Sequence, residues 1–218
     1  MIAAPVLYVD SADTVALSPL LRDGLVRGVT TNPTILERSG RRLVELADLY
    51  ARWIEEGAEE VFFQAWGTDA AQLRRAGEDL RELGDRVGVK VPATRAGFAA
   101  AKILVRSGAT VLVTAVYSVP QALVAASIGA RFIAPYLGRL TDAGVDGHAL
   151  IGRMQAVCAG SGTDVLAASL RSPEDLVALR EAGVGYFTAA PAVLEATLLD
   201  PTSERSAAEF EDAIARLS

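Results

Sequence analysis

The fold class this sequence predicts is α/β, a parallel sheet of eight strand-helix units closed into a (β/α)8 barrel, and three observations predict it. Short β-branched runs alternate with longer stretches of helical period; no linker or low-complexity gap interrupts the rhythm; and the runs number eight, the count that closes a parallel barrel. At 218 residues the chain has the length of one such barrel. It is therefore read as a single domain over residues 1–218, ending in an extra helix at about 204–217.

The strands are expected at Val6 to Asp10, Val26 to Thr30, Glu60 to Ala65, Val87 to Val91, Thr110 to Thr114, Phe132 to Pro135, Asp164 to Ala168 and Gly185 to Thr188. Between them the apolar residues recur at helical spacing, as in Leu43, Leu46, Ala47, Tyr50 and Ile54, or Phe98, Ala101, Ile103 and Leu104. Helix starts follow residues suited to N-capping, namely Ser11 or Asp13, Thr94, and Ser172 with Pro173 at the first helical position. Gly57, Gly84, Gly108 and Gly183 mark helix exits, where a left-handed cap is needed. Beyond the eighth unit, Ala208, Phe210, Ala213 and Leu217 share one helical face, which must be buried on the barrel or on a neighbouring subunit.

Composition narrows the function classes. No apolar stretch approaches the roughly 20 residues of a membrane span, and no basic-then-apolar leader opens the chain, so a soluble cytoplasmic protein with no membrane partner is expected. One cysteine, Cys158, excludes an internal disulfide, and with one histidine, His148, no Cys/His zinc cluster is expected. A net charge of −6 and a pI near 4.9 argue against nucleic-acid binding, while leaving room for a local phosphate pocket.

In a parallel barrel the chemistry gathers at the C-terminal ends of the strands. There the sequence places Asp10, the Thr30-Thr31-Asn32 run, Gln64, Lys90, Thr114, Tyr136 and Ser169 on seven consecutive strands. Lys90 stands out. Lys90 and Lys102 are the only lysines among 21 basic side chains, and Lys90 sits within Val87-Gly88-Val89-Lys90-Val91-Pro92. Desolvation drives a buried lysine toward the neutral amine, a nucleophile for carbonyls, whereas arginine stays charged. Structural readings exist beside the chemical ones. Lys90 could form a buried ion pair with Asp10, Asp10 could cap the next helix, Thr114 could be a β-branched filler, and Asn32-Pro33 could simply turn the chain. Gln64 could satisfy backbone groups.

Ser169-Leu170-Arg171 lies where barrels often build phosphate sites, and Arg139 could reach the same anion; a solvated surface charge is the alternative reading of either arginine. Lys102, His148 and Cys158 receive no chemistry. Trp66 could line a pocket rim, although packing is the plainer role for it and for Trp53.

Several strings, in order and at fitting spacing, resemble the transaldolase family: Leu7 to Asp13, Gly28-Val29-Thr30-Thr31-Asn32-Pro33-Thr34, Val89-Lys90-Val91-Pro92-Ala93-Thr94, Thr114 to Ser118, Ala134-Pro135-Tyr136 and Ala167 to Arg171. The nearest branch is the short-chain group that contains fructose-6-phosphate aldolase and small transaldolases. The resemblance implies a class I aldolase on a TIM barrel, with no metal or organic cofactor, in which Lys90 forms a Schiff base with a hydroxyketone donor. It implies that Asp10 assists carbinolamine formation and proton transfer. Asn32 and Thr114 would contact the donor, Thr30 is a further substrate-binding candidate, Gln64, Tyr136 and Thr114 would hold the catalytic water, and Ser169, Arg171 and Arg139 would surround the phosphate of a sugar-phosphate acceptor. It also implies a homo-oligomer, pentamer or decamer, with the C-terminal helix crossing to a neighbour, and a place in carbohydrate metabolism such as the pentose phosphate pathway.

Typical transaldolases carry glutamate and phenylalanine where this chain has Gln64 and Tyr136, the pair expected of fructose-6-phosphate aldolase. A glutamine can only position water, while a phenol can help shuttle its proton. The expected activity is thus aldol cleavage or synthesis, with transaldolase as the alternative and a non-catalytic sugar-phosphate-binding barrel as a third. Phe62-Phe63-Gln64-Ala65-Trp66 is bulkier than this branch suggests, and Gly138-Arg139 is similar to the transaldolase form of its loop.

Overall fold

Eight parallel strands close into a barrel in chain order in the computed structural model, which describes residues 4–217. They are β1 (Val6–Asp10), β2 (Gly28–Thr30), β3 (Glu60–Gln64), β4 (Val87–Pro92), β5 (Val111–Val116), β6 (Phe132–Pro135), β7 (Asp164–Leu170) and β8 (Tyr186–Ala189). Every expected strand is present. β2 starts two residues late, because its pairing with β1 begins only at Tyr8 opposite Gly28, and Val26 is instead buried in the core under the helices. β5 and β7 run further than expected, each through a register shift.

Around the barrel lie α1 (Thr14–Arg22), α2 (Pro33–Arg38), α3 (Leu46–Glu55), α4 (Ala70–Arg81), α5 (Arg95–Arg106), α6 (Val119–Ile128), α7 (Leu137–Asp142), α8 (Gly147–Cys158), α9 (Pro173–Glu181) and α10 (Pro191–Leu198). Asp13, not Ser11, caps α1, accepting from the Val15 and Ala16 amides; Thr94 caps α5, and Ser172 forms a capping box on α9 with Pro173 inside its start. Thus the Asp10 carboxylate is left free of helix capping.

Strand alternation divides the interior into two cores. Val9, Val29, Phe63, Val89, Val91, Val113, Ile133 and Val165 point outward under the helices. Tyr8, Phe62, Leu112, Phe132 and Leu166 point into the barrel. Gly88, also inward-facing, makes room for them: a Cβ there would come within 2.2 Å of the Phe62 ring. The lower part of the barrel is consequently a solid aromatic plug, with Tyr8 edge-on to Phe62, Phe62 edge-on to Phe132, and Phe132 against Tyr186 at 4.9 Å.

The last helix, α11 (Pro201–Leu217), begins earlier than expected and has no buried residue; Phe210 and Leu217 are 68% and 84% exposed. Its apolar face does not pack on the barrel of its own chain. No helix of the described residues is long and apolar enough to cross a membrane.

Candidate active site

The upper end of the barrel holds a cavity of about 160 Å³ lined by Lys90, Asp10, Asn32, Tyr136, Arg139 and Ser169, six of the ten residues nominated from the sequence. Apolar walls come from Leu112, Ala134, Leu166 and Ala168, the top layer of the barrel interior.

Lys90 enters from β4 and is only 3% exposed. Burial pushes its ammonium below the ordinary lysine range, and the nearby Asp10 carboxylate offsets part of that. Asp10 itself is raised by burial, against the opposing pull of Lys90 and of the Thr30 hydroxyl. Among the described residues the two form no ion pair, so the buried-pair reading of Lys90 is not what the structure contains. The charges sit close enough to feel one another without being quenched.

Behind Asp10 runs a chain of hydroxyls. Thr30 Oγ1 donates to Asp10 Oδ1 at 2.6 Å, and Thr30 Oγ1 lies 2.7 Å from Thr188 Oγ1. A hydroxyl has one proton, so with Asp10 ionised Thr188 is the donor to Thr30. Thr30 is therefore a support for Asp10 rather than part of the cavity wall. Thr114 plays the same part for Tyr136, its Oγ1 lying 2.7 Å from Tyr136 Oη. Burial raises the Tyr136 phenol, while the Thr114 hydrogen bond and the Arg139 guanidinium, 5.4 Å above the ring, act in the opposite direction. Gln64 is half-buried and stands beside Lys90 in the strand register, outside the cavity lining.

Asn32 serves two ends. Its Oδ1 accepts from the Ile35 amide at 3.0 Å and caps α2, with Pro33 in the first turn, so the turn reading is correct as far as it goes. With that oxygen occupied, the group left for the cavity is the amide NH₂, a donor.

Ser169 reaches the cavity through backbone strain. Strand alternation points Ala168 inward and would point Ser169 outward, yet both line the cavity. The reconciliation is a left-handed conformation at Ser169, φ +58°, at the β7 register shift; Ala115, φ +56°, marks the matching shift on β5. A non-glycine residue held there costs about 1–2 kcal/mol, which the surrounding barrel must supply.

The arginines separate. Arg139 lines the cavity, and Arg171, at the corner beside Ser169, is held in a bidentate pair with Asp142 at 2.7 and 2.6 Å. Gly138 lets that corner close: a Cβ there would come within 2.7 Å of Arg171 Nε and 2.9 Å of Ser169 Oγ. Trp66 is 42% exposed and lines a separate groove beside Pro33 and Leu43, while Trp53 is fully buried. Lys102 is exposed, His148 lies 3.4 Å from Asp175, and Cys158 is buried; none lines the cavity.

Thr188, Thr34 and Arg38 were not nominated. Thr188 ends the expected eighth strand, and the strand-end rule applied once more would have found it. Arg38 lies one helical turn past Thr34, a signal that only a helix across the mouth makes meaningful. Among the described residues no group of three His, Cys, Asp or Glu side chains could hold a metal ion.

A sequence profile of the transaldolase/fructose-6-phosphate aldolase family matches residues 7–218. A "Probable transaldolase" of Hyphomonas neptunium is 37% identical over 206 residues, covering 93% of this chain and 94% of the relative. One from Cereibacter sphaeroides is 38% identical over 191 residues, covering 87% and 86%. Among solved structures, thiamine phosphate pyrophosphorylase from Pyrococcus furiosus superposes with a TM-score of 0.60 at 16% identity, covering 87% of each chain. A mandelate oxidase mutant superposes with a TM-score of 0.59 at 21% identity, covering 88% of this chain and 65% of that one. These two likenesses concern the barrel alone.

Proposed function

From the membership of this chain in the transaldolase/fructose-6-phosphate aldolase family, we propose that it is a class I aldolase joining a small hydroxyketone donor, dihydroxyacetone-like, to an aldehyde or aldehyde phosphate. The observation that carries the reading is a lysine 3% exposed on the cavity wall, depressed by burial, near a carboxylate that does not pair with it.

In the cleavage direction the neutral Lys90 amine attacks the ketone of the ketose, and Asp10, held by Thr30, moves protons as the carbinolamine loses water to give the iminium. Asp10 takes the proton of the hydroxyl beyond the donor fragment as that C–C bond breaks and its electron pair passes into the iminium, releasing an aldehyde and leaving an enamine on Lys90. Protonation and hydrolysis then free the donor ketone. Tyr136, oriented by Thr114, serves the water of that last step together with Gln64, and the Asn32 amide donates to a donor oxygen. The scheme requires no cofactor beyond Lys90. Incubation with fructose 6-phosphate and borohydride should add mass at Lys90. An unmodified Lys90 across hydroxyketone donors, or full activity in Lys90→Ala, overturns the proposal.

The second reading is transaldolase, in which the enamine meets a second aldehyde before it is protonated. The names of the relatives favour it. Free dihydroxyacetone release measured against transfer to erythrose 4-phosphate separates the two, and Tyr136→Phe should depress release by roughly 100-fold while sparing transfer. We also propose a homo-oligomer, pentamer or decamer, that covers the exposed face of α11; light scattering that reports a monomer excludes it.

A further inference from the structure

Three contiguous strands, β8, β1 and β2, carry Thr188, Asp10 and Thr30. In register Thr188 stands opposite Tyr8 and Thr30 opposite Asp10. The Tyr8 phenol donates to Glu60, so it does not serve Thr188. Thr188 is 1% exposed, and among the described residues its hydroxyl bonds to Thr30 alone. Valine has the same shape without a hydroxyl to bury, so packing by itself does not call for threonine here. Unlike Thr30, Thr188 also lines the cavity. Asp10 thus meets the cavity twice, directly and through two hydroxyls.

Each hydroxyl has one proton, so the state of Asp10 fixes the direction of the whole chain. With Asp10 ionised, Thr30 donates to it and Thr188 donates to Thr30, which leaves only Thr188 lone pairs for the cavity. With Asp10 protonated, the chain reverses. Asp10 donates to Thr30, Thr30 donates to Thr188, and the Thr188 proton is free for a water or a substrate hydroxyl. In the cleavage scheme Asp10 gains a proton as the C–C bond breaks and must lose it before the next turnover, so it passes through both states.

We infer that Thr188 is a positioning residue of this site: through Thr30 it holds the Asp10 carboxylate, and its own hydroxyl turns from acceptor to donor at the cavity wall as Asp10 gains a proton. The inference rests on the aldolase reading for what Asp10 does and on geometry for the chain of hydroxyls. Without Thr188, Thr30 loses the donor that polarises it; its bond to Asp10 weakens, and Asp10 keeps its proton to higher pH. The other titratable or charged groups around Asp10 are Lys90 from β4, Tyr136 after β6, Arg139 from α7, Arg38 from α2 and Tyr8 on β1 itself. Among the described residues none of them bonds to either threonine, so removal of Thr188 leaves their contacts in place.

The kinetic test is the acid limb of kcat/KM for fructose 6-phosphate cleavage. In Thr188→Val the limb should move up by about half a pH unit, a roughly threefold loss of rate along it, and Thr188→Ser should return it to the parental position. Thr188→Ala, which cannot overpack the site, should show the same displacement as Thr188→Val. A fall of equal size at every pH, an unmoved limb, or a Thr188→Ser variant that follows Thr188→Val overturns the inference. A second arm needs no turnover: in a Lys90→Met background, carbon NMR of isotope-labelled aspartate follows the Asp10 carboxyl, identified by its loss in Asp10→Asn. Its titration midpoint should rise by a similar step on adding Thr188→Val. If borohydride traps nothing at Lys90 but this midpoint still rises, the aldolase reading fails and the hydroxyl chain stands; a midpoint indifferent to Thr188 removes the chain whatever Lys90 does.

Discussion

At the lower end of the barrel Arg131 donates to Asp164 and to Tyr186 Oη, lies 4.2 Å over the Phe132 ring, and neighbours a Tyr8 that donates to Glu60 at 2.8 Å. At the upper end Lys90 is buried without an ion pair, and Asp10 has only a hydroxyl. The two ends of one barrel thus treat charge in opposite ways. Below, polar groups satisfy one another and fix the packing; above, they are held apart, and their free energy is available to a bound molecule. Unpaired charge in a well-packed fold is the mark of the working end.

Four changes test that contrast, the largest effect first. Lys90→Arg keeps the charge and removes the only form able to attack a carbonyl, so turnover should fall by roughly 10⁴-fold or more, and borohydride should trap nothing. In the parent, the rate of trapping should already be substantial below the pH at which an exposed lysine loses its proton, since burial lowers Lys90.

Next, Lys90→Met combined with Asp10→Asn should raise stability by about 1–3 kcal/mol, read as a higher denaturant midpoint. The sign follows from the shifts. Lys90, lowered on folding, destabilises in full below its folded value and less as pH climbs toward that of an exposed lysine; Asp10, raised, destabilises in full above its folded value and less as pH falls toward that of an exposed aspartate. The advantage of the double variant should therefore peak near neutrality and shrink toward both extremes. A double variant less stable than its parent would equate the two ends.

Arg131→Met should act the other way, lowering stability by about 1–2 kcal/mol and Tm by about 2–8 °C while leaving kcat untouched, because it strands Asp164 and Tyr186. Asn32 gives the smallest stability change. Asn32→Ala should cost about 1 kcal/mol through the lost cap of α2, whereas Asn32→Asp should keep the cap and raise KM for the donor by replacing a donor NH₂ with an acceptor.

The barrel and its active level were legible because strand period and strand-end polarity are local signals: Asp10, Lys90 and Tyr136 could be placed by counting along one strand at a time. Arg38 and the pairing of Arg171 with Asp142 were not. Whether a guanidinium faces a cavity depends on which carboxylate from another element reaches it first, and Asp142 lies 29 positions from Arg171. Ser169 was found for the right position, yet alternation alone would have turned it outward; only the left-handed backbone brings it round.

The aromatic plug of Tyr8, Phe62, Phe132 and Tyr186 also has a consequence for traffic. A barrel stopped at its base is entered and left by a single doorway, so on the proposed aldolase reading the first aldehyde must clear the mouth before another takes its place. Saturating one aldehyde should then slow exchange of the other by queueing at the entrance, a constraint that on this reading comes from four packed rings at the far end of the barrel.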